Sequence, residues 1–409
     1  MSNNYPFHSF ANVLKMVRHK ICNMSIFAVA IFCWSHSAYS FDTIAKSVIV
    51  YDETTQSVIL EKEADKPRPP ASMSKLMTLL IAFEALEEGR INLDTTFRVS
   101  TKAFKKGGSK MFIEENQLVS VEDLIRGIAV ASGNDACIAL AEGLNGTEDS
   151  FVARMNLKAK DLGLKNSHFA NSTGWPSPGH VMSVRDLLNL SIYIRKEYPK
   201  YYEYFQEKEY TWNGIKQLNR NPLLKMDIGA DGLKTGHTEE AGYGLVGSSN
   251  LGNRRISFVL TGLKSGADRR FESEKIIKWA FRDFTVIDLF PKNHVFGKAP
   301  VWIGEENHVN LISPEKIQIL VPYGGKNAVQ AEVEVEIPVR TPIKINDQIG
   351  ILRIKAPSFI PGKTERTIEY PLLSPSNIGA GGFTKKIQAT VRAGLLNALK
   401  FVKFNDVFN

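Results

Sequence analysis

Three short polar clusters carry residues able to make and break bonds. In Ser72-Met73-Ser74-Lys75 a hydroxyl and an amine lie three positions apart, so a helix beginning at Ser72 presents both on one face. A serine hydroxyl attacks a carbonyl only once a base takes its proton, and an uncharged lysine amine nearby is such a base. A helix N-terminus adds partial positive charge, which favours negative charge developing at the serine. Ser132-Gly133-Asn134 supplies a second hydroxyl and an amide, and Lys234-Thr235-Gly236-His237 a second cation beside a hydroxyl.

Each cluster alone is weak. Average usage of Ser and Lys gives about one or two Ser-x-x-Lys matches by chance in a chain of this size. Ser313-Pro314-Glu315-Lys316 is one, without an apolar helical continuation. Ser-x-Asn recurs at Ser2-Asn3-Asn4 and Ser248-Ser249-Asn250, whereas Lys-Thr-Gly occurs once. Order changes the odds: nucleophile and base, then hydroxyl and amide, then cation and hydroxyl follow one another along the chain.

The elements that must position these groups are readable in outline. Ser47–Tyr51 and Ser57–Leu60 read as two strands joined by a polar turn. After the Pro-rich link 67–70, apolar residues at Leu76, Leu79, Leu80, Phe83 and Leu86 predict a helix stopped at Gly89. Ser120 and Asp123 resemble a capping pair opening a second helix through about 131, immediately before Ser132. Further helices are predicted over 147–162, 183–195 and 272–281, and strands over 243–247 and 255–260, with Lys234–His237 just before the first. Strands at both ends with helices between predict an α/β domain whose sheet gathers the two ends of residues 41–290. From 291 to 378 short alternating strands punctuated by Pro338, Pro342, Pro357 and Pro361 predict a small all-β domain. A Gly-rich link at 379–382 precedes a basic amphipathic helix expected over 383–403. Ile387, Val391, Leu395 and Leu399 supply its apolar face, suited to lying in a membrane interface.

Composition bounds the class. The 409 residues are 43% hydrophobic and 23% charged, an ordinary globular balance, with a net charge of +8. Positive charge suits anionic lipid or a carboxylate-rich polymer. No zinc-finger spacing or RNA-binding aromatic signature supports nucleic acid. Residues 1–40 hold a basic stretch (Lys15 to Lys20), an apolar run (Ile26 to Trp34) and small residues (Ser37 to Ser40), the order of a secretory signal. Cys22 and Cys33 fall inside it. Cys137, in the run Ala136 to Leu140, is left without an intramolecular partner and reads as a small buried hydrophobe. His168 and His180 have no metal-ligand spacing and read as loop or core residues, so no metal or cofactor is expected.

The three clusters and their flanks, Pro70-Ala-Ser-Met-Ser-Lys-Leu-Met-Thr78, Ala131-Ser-Gly-Asn-Asp-Ala136 and Gly232-Leu-Lys-Thr-Gly-His-Thr238, resemble the low-molecular-mass D-alanyl-D-alanine carboxypeptidases, a penicillin-binding protein family. The resemblance runs over about residues 41–403. It implies a β-lactamase-like catalytic domain with an antiparallel sheet flanked by helices, and removal of terminal D-alanine from peptidoglycan pentapeptides, with β-lactams as covalent inhibitors. By the same resemblance Ser72 is the nucleophile, Lys75 the base and Ser132 a proton relay. Asn134 positions substrate, and Lys234, Thr235 and Gly236 belong to the carboxylate site. The backbone N–H groups of Ser72 and His237 form an oxyanion hole. Lys234 is expected to help keep Lys75 neutral. An arginine three residues before Glu272-Ser273 points to Arg269 for the terminal carboxylate, with Arg270 beside it. The resemblance also implies export to the periplasmic face of the inner membrane.

A β-lactamase, a D,D-endopeptidase and a non-catalytic wall-binding protein are the rival readings. Class A lactamases place a glutamate on a loop between the second and third clusters, and Asn171 to His180 contains none. An endopeptidase would share all three clusters. A binder has no need of a nucleophile.

Overall fold

The computed structural model describes residues 41–359 and 363–382, and the backbone of 401–405. Strands β1 (Ser47–Asp52), β2 (Ser57–Lys62), β3 (Ala230–Thr238), β4 (Gly242–Leu251) and β5 (Arg254–Leu263) form one antiparallel sheet, ordered β2-β1-β5-β4-β3. The two ends of the first domain thus meet in a single sheet. Period-2 alternation places Ile49 of β1 in one core and Val48 and Val50 in another, so both faces of the sheet are covered.

On the first face lie helices α1 (Lys75–Glu87), α2 (Val121–Ala129), α3 (Asn134–Asn145), α4 (Glu148–Asp161) and α5 (Val184–Glu197). Helix α1 is buried from Lys75 through Ala85, which its nearly uniform apolarity allows. On the second face α6 (Gly266–Arg282) packs Ile276, Ile277, Trp279 and Ala280 against Val48, Val50 and Phe258. Ser120 accepts a hydrogen bond from Asp123 N–H and donates to its carboxylate, the expected cap of α2. Thr147, Ser183 and Ser265 cap α4, α5 and α6.

The structure departs from the sequence reading in four places within and between these elements. Ser72 sits in a 3₁₀ turn, Ala71–Ser74, and the α-helix begins only at Lys75. Lys234–His237 lies inside β3 rather than before a strand. Residues 134–145, taken only as an apolar run, form α3, and α2 ends at Ala129. The last strand of residues 41–290, β6 (Phe284–Phe290), pairs with β9 (Ile317–Pro322) and puts Ile287 and Phe290 in the core of the second domain. Phe284 and Val286 of the same strand pack with Trp279 in the first domain's core, so β6 is shared by both cores instead of ending the first.

The second domain is all β. With β7 (Val295–Trp302), β8 (His308–Ile312), β10 (Gln330–Glu336), β11 (Val339–Arg340), β12 (Gln348–Pro357), β13 (Glu365–Leu373) and β14 (Phe401–Asn405), a seven-stranded sheet runs β11-β7-β8-β13-β12-β10-β14. Ile319, Val321, Val333, Leu352, Ile354 and Leu372 share one core. The helix expected over 383–403 is corrected at its end, where 401–405 pair as a strand with β10, and 383–400 lie outside the described residues. None of the described helices is long and apolar enough to cross a membrane.

Candidate active site

The 3₁₀ turn does what an α-helix would do less well. Side chains three apart eclipse one another in it, and Lys75 Nζ lies 2.8 Å from Ser72 Oγ. Strand β3 presses on this turn. A Cβ at Gly236 would stand 2.8 Å from Pro70 O and 3.2 Å from Ala71 Cβ, so only glycine lets strand and turn meet.

Lys75 is fully buried, yet no carboxylate among the described residues pairs with it. Its Nζ also lies 2.8 Å from Asn134 Oδ1 and 2.6 Å from Thr173 O. Burial pushes its ammonium down to about 8, and the positive charges of Arg220 and Lys106 act in the same direction. Lys234, 2% exposed, donates to Ser132 Oγ at 2.9 Å and to Thr235 O at 3.3 Å. It is held well below the ordinary lysine value by burial first, then by Lys75, Arg220 and Arg269. Burial is the largest cause at both lysines, and the charge of Lys75 adds to it at Lys234.

Ser132 occupies the turn between α2 and α3 with φ +60°, a left-handed conformation unusual for serine and held by its surroundings. Gly133 N–H donates to Gly127 O, and Asn134 N–H to Ser109 O. Asn134 opens α3 and donates through Nδ2 to Gly107 O at 2.8 Å. The buried carboxylate of Asp135 accepts from the N–H groups of Met111 and Phe112, tying the loop 106–113 to the same helix end. Cys137 is buried on α3, and burial pushes its thiol up to about 12, which leaves it inert.

His237 is exposed and stacks on Tyr243, ring centroids 3.8 Å apart. The half-buried guanidinium of Arg269 stands 5.6 Å over the other ring of that pair, Tyr243, while Arg270 is exposed. Arg269 Nε is buried with no hydrogen-bond partner among the described residues. Hydrogen bonds thus link Ser72, Lys75 and Asn134, and Lys234 and Ser132; Gly236 packs on the Ser72 turn, Thr235 and His237 flank it on β3, and Arg269 meets His237's partner Tyr243. His168 and His180 are not part of it: they flank the bridge His168↔Val181, and burial first holds the His180 imidazole down to about 4.

Several contributors escaped the sequence reading. Arg220, on the loop before β3, reaches Ser109 Oγ at 2.5 Å. Asn171 Oδ1 accepts from Thr173 N–H, Gly174 N–H and Trp175 N–H, shaping the turn that aims Thr173 O at Lys75. The Asn-Ser-Thr-Gly string was a legible turn signal. Glu148 anchors the same turn by accepting from Ser172 N–H and Oγ and pairing with Lys102. It is committed to structure and not placed as a general base.

A serine beside a buried, deprotonation-prone lysine, with a second serine–lysine pair nearby, is an arrangement suited to serine acyl transfer. Residues 35–265 match the D-alanyl-D-alanine carboxypeptidase family and residues 284–377 the C-terminal domain of penicillin-binding protein 5. D-alanyl-D-alanine carboxypeptidase DacA of Escherichia coli K12 is 34% identical over 351 residues, 84% of this chain and 86% of that protein. Penicillin-binding protein 5 from Haemophilus influenzae superposes with a TM-score of 0.75 at 32% identity, over 83% of this chain and 99% of that one. Penicillin-binding protein D2 from Listeria monocytogenes, in its ampicillin-bound form, aligns with a TM-score of 0.55 at 29% identity, over 59% of this chain and 99% of that one. The chain belongs to the D-alanyl-D-alanine carboxypeptidase family.

Proposed function

We propose that this chain removes the terminal D-alanine from peptidoglycan pentapeptides through an ester on Ser72. The observation that carries the reading is the fully buried Lys75 Nζ, 2.8 Å from Ser72 Oγ and pushed down to about 8. A neutral Lys75 takes the hydroxyl proton as Ser72 Oγ attacks the carbonyl between the two D-alanines. The N–H groups of Ser72 and His237 hold the oxyanion. Ser132, bonded to Lys234, gives a proton to the leaving amine, and Asn134 orients the substrate amide. Lys234, Thr235 and Arg269 receive the terminal carboxylate, for which the unpartnered Arg269 Nε is a ready donor. Water then cleaves the ester and regenerates Ser72.

A β-lactam presents the same carbonyl and carboxylate, so penicillin acylates Ser72 and leaves slowly. The test is incubation with penicillin and, separately, with a peptide ending in D-Ala-D-Ala. A lasting adduct on Ser72 with D-alanine release supports the reading. Fast penicillin turnover without D-alanine makes the protein a lactamase, and no adduct makes it a binder. Hydrolysis of cross-linked peptides would reveal endopeptidase activity.

The signal-like residues 1–40 support export, and the basic amphipathic residues 383–400 support seating on the periplasmic face of the inner membrane. Flotation with anionic vesicles tests the second point: loss of binding on deleting 383–409 supports it, and undiminished binding refutes it.

A further inference from the structure

Trp175 is an aromatic residue held in the open. The residue is 43% exposed, while its backbone is pinned: N–H donates to Asn171 Oδ1 and Thr173 Oγ1, both at 3.1 Å, and its carbonyl accepts from Asn171 Nδ2 at 2.9 Å. Gly174 just before it packs on the nucleophile turn, where a Cβ would stand 2.0 Å from Ala71 O and 2.7 Å from Ser74 Oγ. The indole itself reaches the facing loop. A Cβ at Gly108 would stand 2.6 Å from Trp175 Cζ3, and Lys106 Nζ lies 4.9 Å from a ring centroid. Gly107, between those two loop residues, accepts from Asn134. The segment Gly174-Trp175 therefore joins the Ser72 turn, through the Gly174 backbone, to the loop that positions Asn134, through the indole.

Thr173 O, two residues before Trp175, meets Lys75 Nζ at 2.6 Å, and Gly174 packs on the Ser72 turn, so Trp175 stands beside the nucleophile and its base. With the terminal carboxylate assigned to Lys234, Thr235 and Arg269 as proposed above, the nucleophile end where Trp175 stands is left for the acyl portion of the peptide. A rigid, partly exposed aromatic surface costs little entropy to present and gains by covering methylene groups. We propose that Trp175 is a specificity-determining residue, forming an apolar wall against the side chain of the residue that precedes D-Ala-D-Ala. It thereby favours peptides with a long aliphatic side chain there. This rests on the carboxypeptidase reading above.

The test uses the full chain and two peptides, acetyl-Ala-D-Ala-D-Ala and Nα,Nε-diacetyl-Lys-D-Ala-D-Ala. Wild type prefers the second. Trp175→Ala lowers kcat/KM for the lysine peptide about tenfold and for the alanine peptide less than about twofold, while Trp175→Phe keeps most of the preference. Formation of the Ser72–penicillin adduct in both variants shows the nucleophile and base intact. Equal loss on both peptides makes the ring a mere support for loop 106–113 and overturns the proposal, as does no loss on either. D-alanine release from neither peptide by wild type overturns the carboxypeptidase reading instead.

Discussion

The two domains treat charge in opposite ways. The first buries two lysines completely, without a carboxylate on either ammonium, and surrounds them with hydroxyls, an amide and a carbonyl. The second pairs charges at its surface, as Arg353 does with Glu334 and Glu369, and its half-buried Arg366 bonds a backbone carbonyl at Leu320. Burying an ammonium costs free energy that packing elsewhere must offset, and such groups mark function. Surface pairs contribute little. The contrast separates the residues that react from those that merely hold shape.

The largest expected effect is at the nucleophile. Ser72→Ala should lose at least about 10⁴-fold in D-alanine release and form no penicillin adduct by mass spectrometry, with an unchanged melting temperature. Arg269→Ala should lose about ten- to a hundredfold in kcat/KM, as expected for one charge-assisted contact to a carboxylate, whereas Arg270→Ala stays within about twofold. Equal losses would erase the distinction between the two arginines. The rate of Ser72 acylation should climb about tenfold per pH unit up to about 8 and then level, because Lys75 acts only when uncharged and is protonated below that point. A stopped-flow profile flat from pH 6 to 9 would exclude Lys75 as the base.

In the second domain the sign of the comparison reverses. Leu352→Ala, at a fully buried site, should cost about 2–5 kcal/mol in urea unfolding and leave kcat/KM unchanged. Arg353→Ala should leave the melting temperature within experimental scatter. A catalytic loss from either would show that the two regions are energetically joined.

Much of this was legible beforehand because chemistry is local in three short strings. Ser72 and Lys75 are three residues apart, and Ser120 with Asp123 announces its own helix. What stayed hidden depends on distant pairing. β3 reads poorly as a strand because Gly232 and Gly236 dilute its β-formers, and Gly236 is there for the turn at Pro70, more than 160 residues earlier in the chain. Arg220 carries no motif; its place follows from the fold that brings it to Ser109. The Thr173 carbonyl is a backbone group, invisible to any reading of side chains. Residues 134–141 are so uniformly buried that period 3.6 is hard to see in them.

One residue, Asp283, separates α6 from β6. A fragment cut after 290, where composition changes, would carry away a strand whose mate stays behind, with Ile287 and Phe290 stripped of cover and an open edge ready to recruit neighbours. A fragment ending at 283 leaves that strand with its mate but takes Phe284 away from Trp279 and Arg254 in the first core. The place to divide this molecule is set by which strand holds hands with which, and not by where the texture of the chain alters.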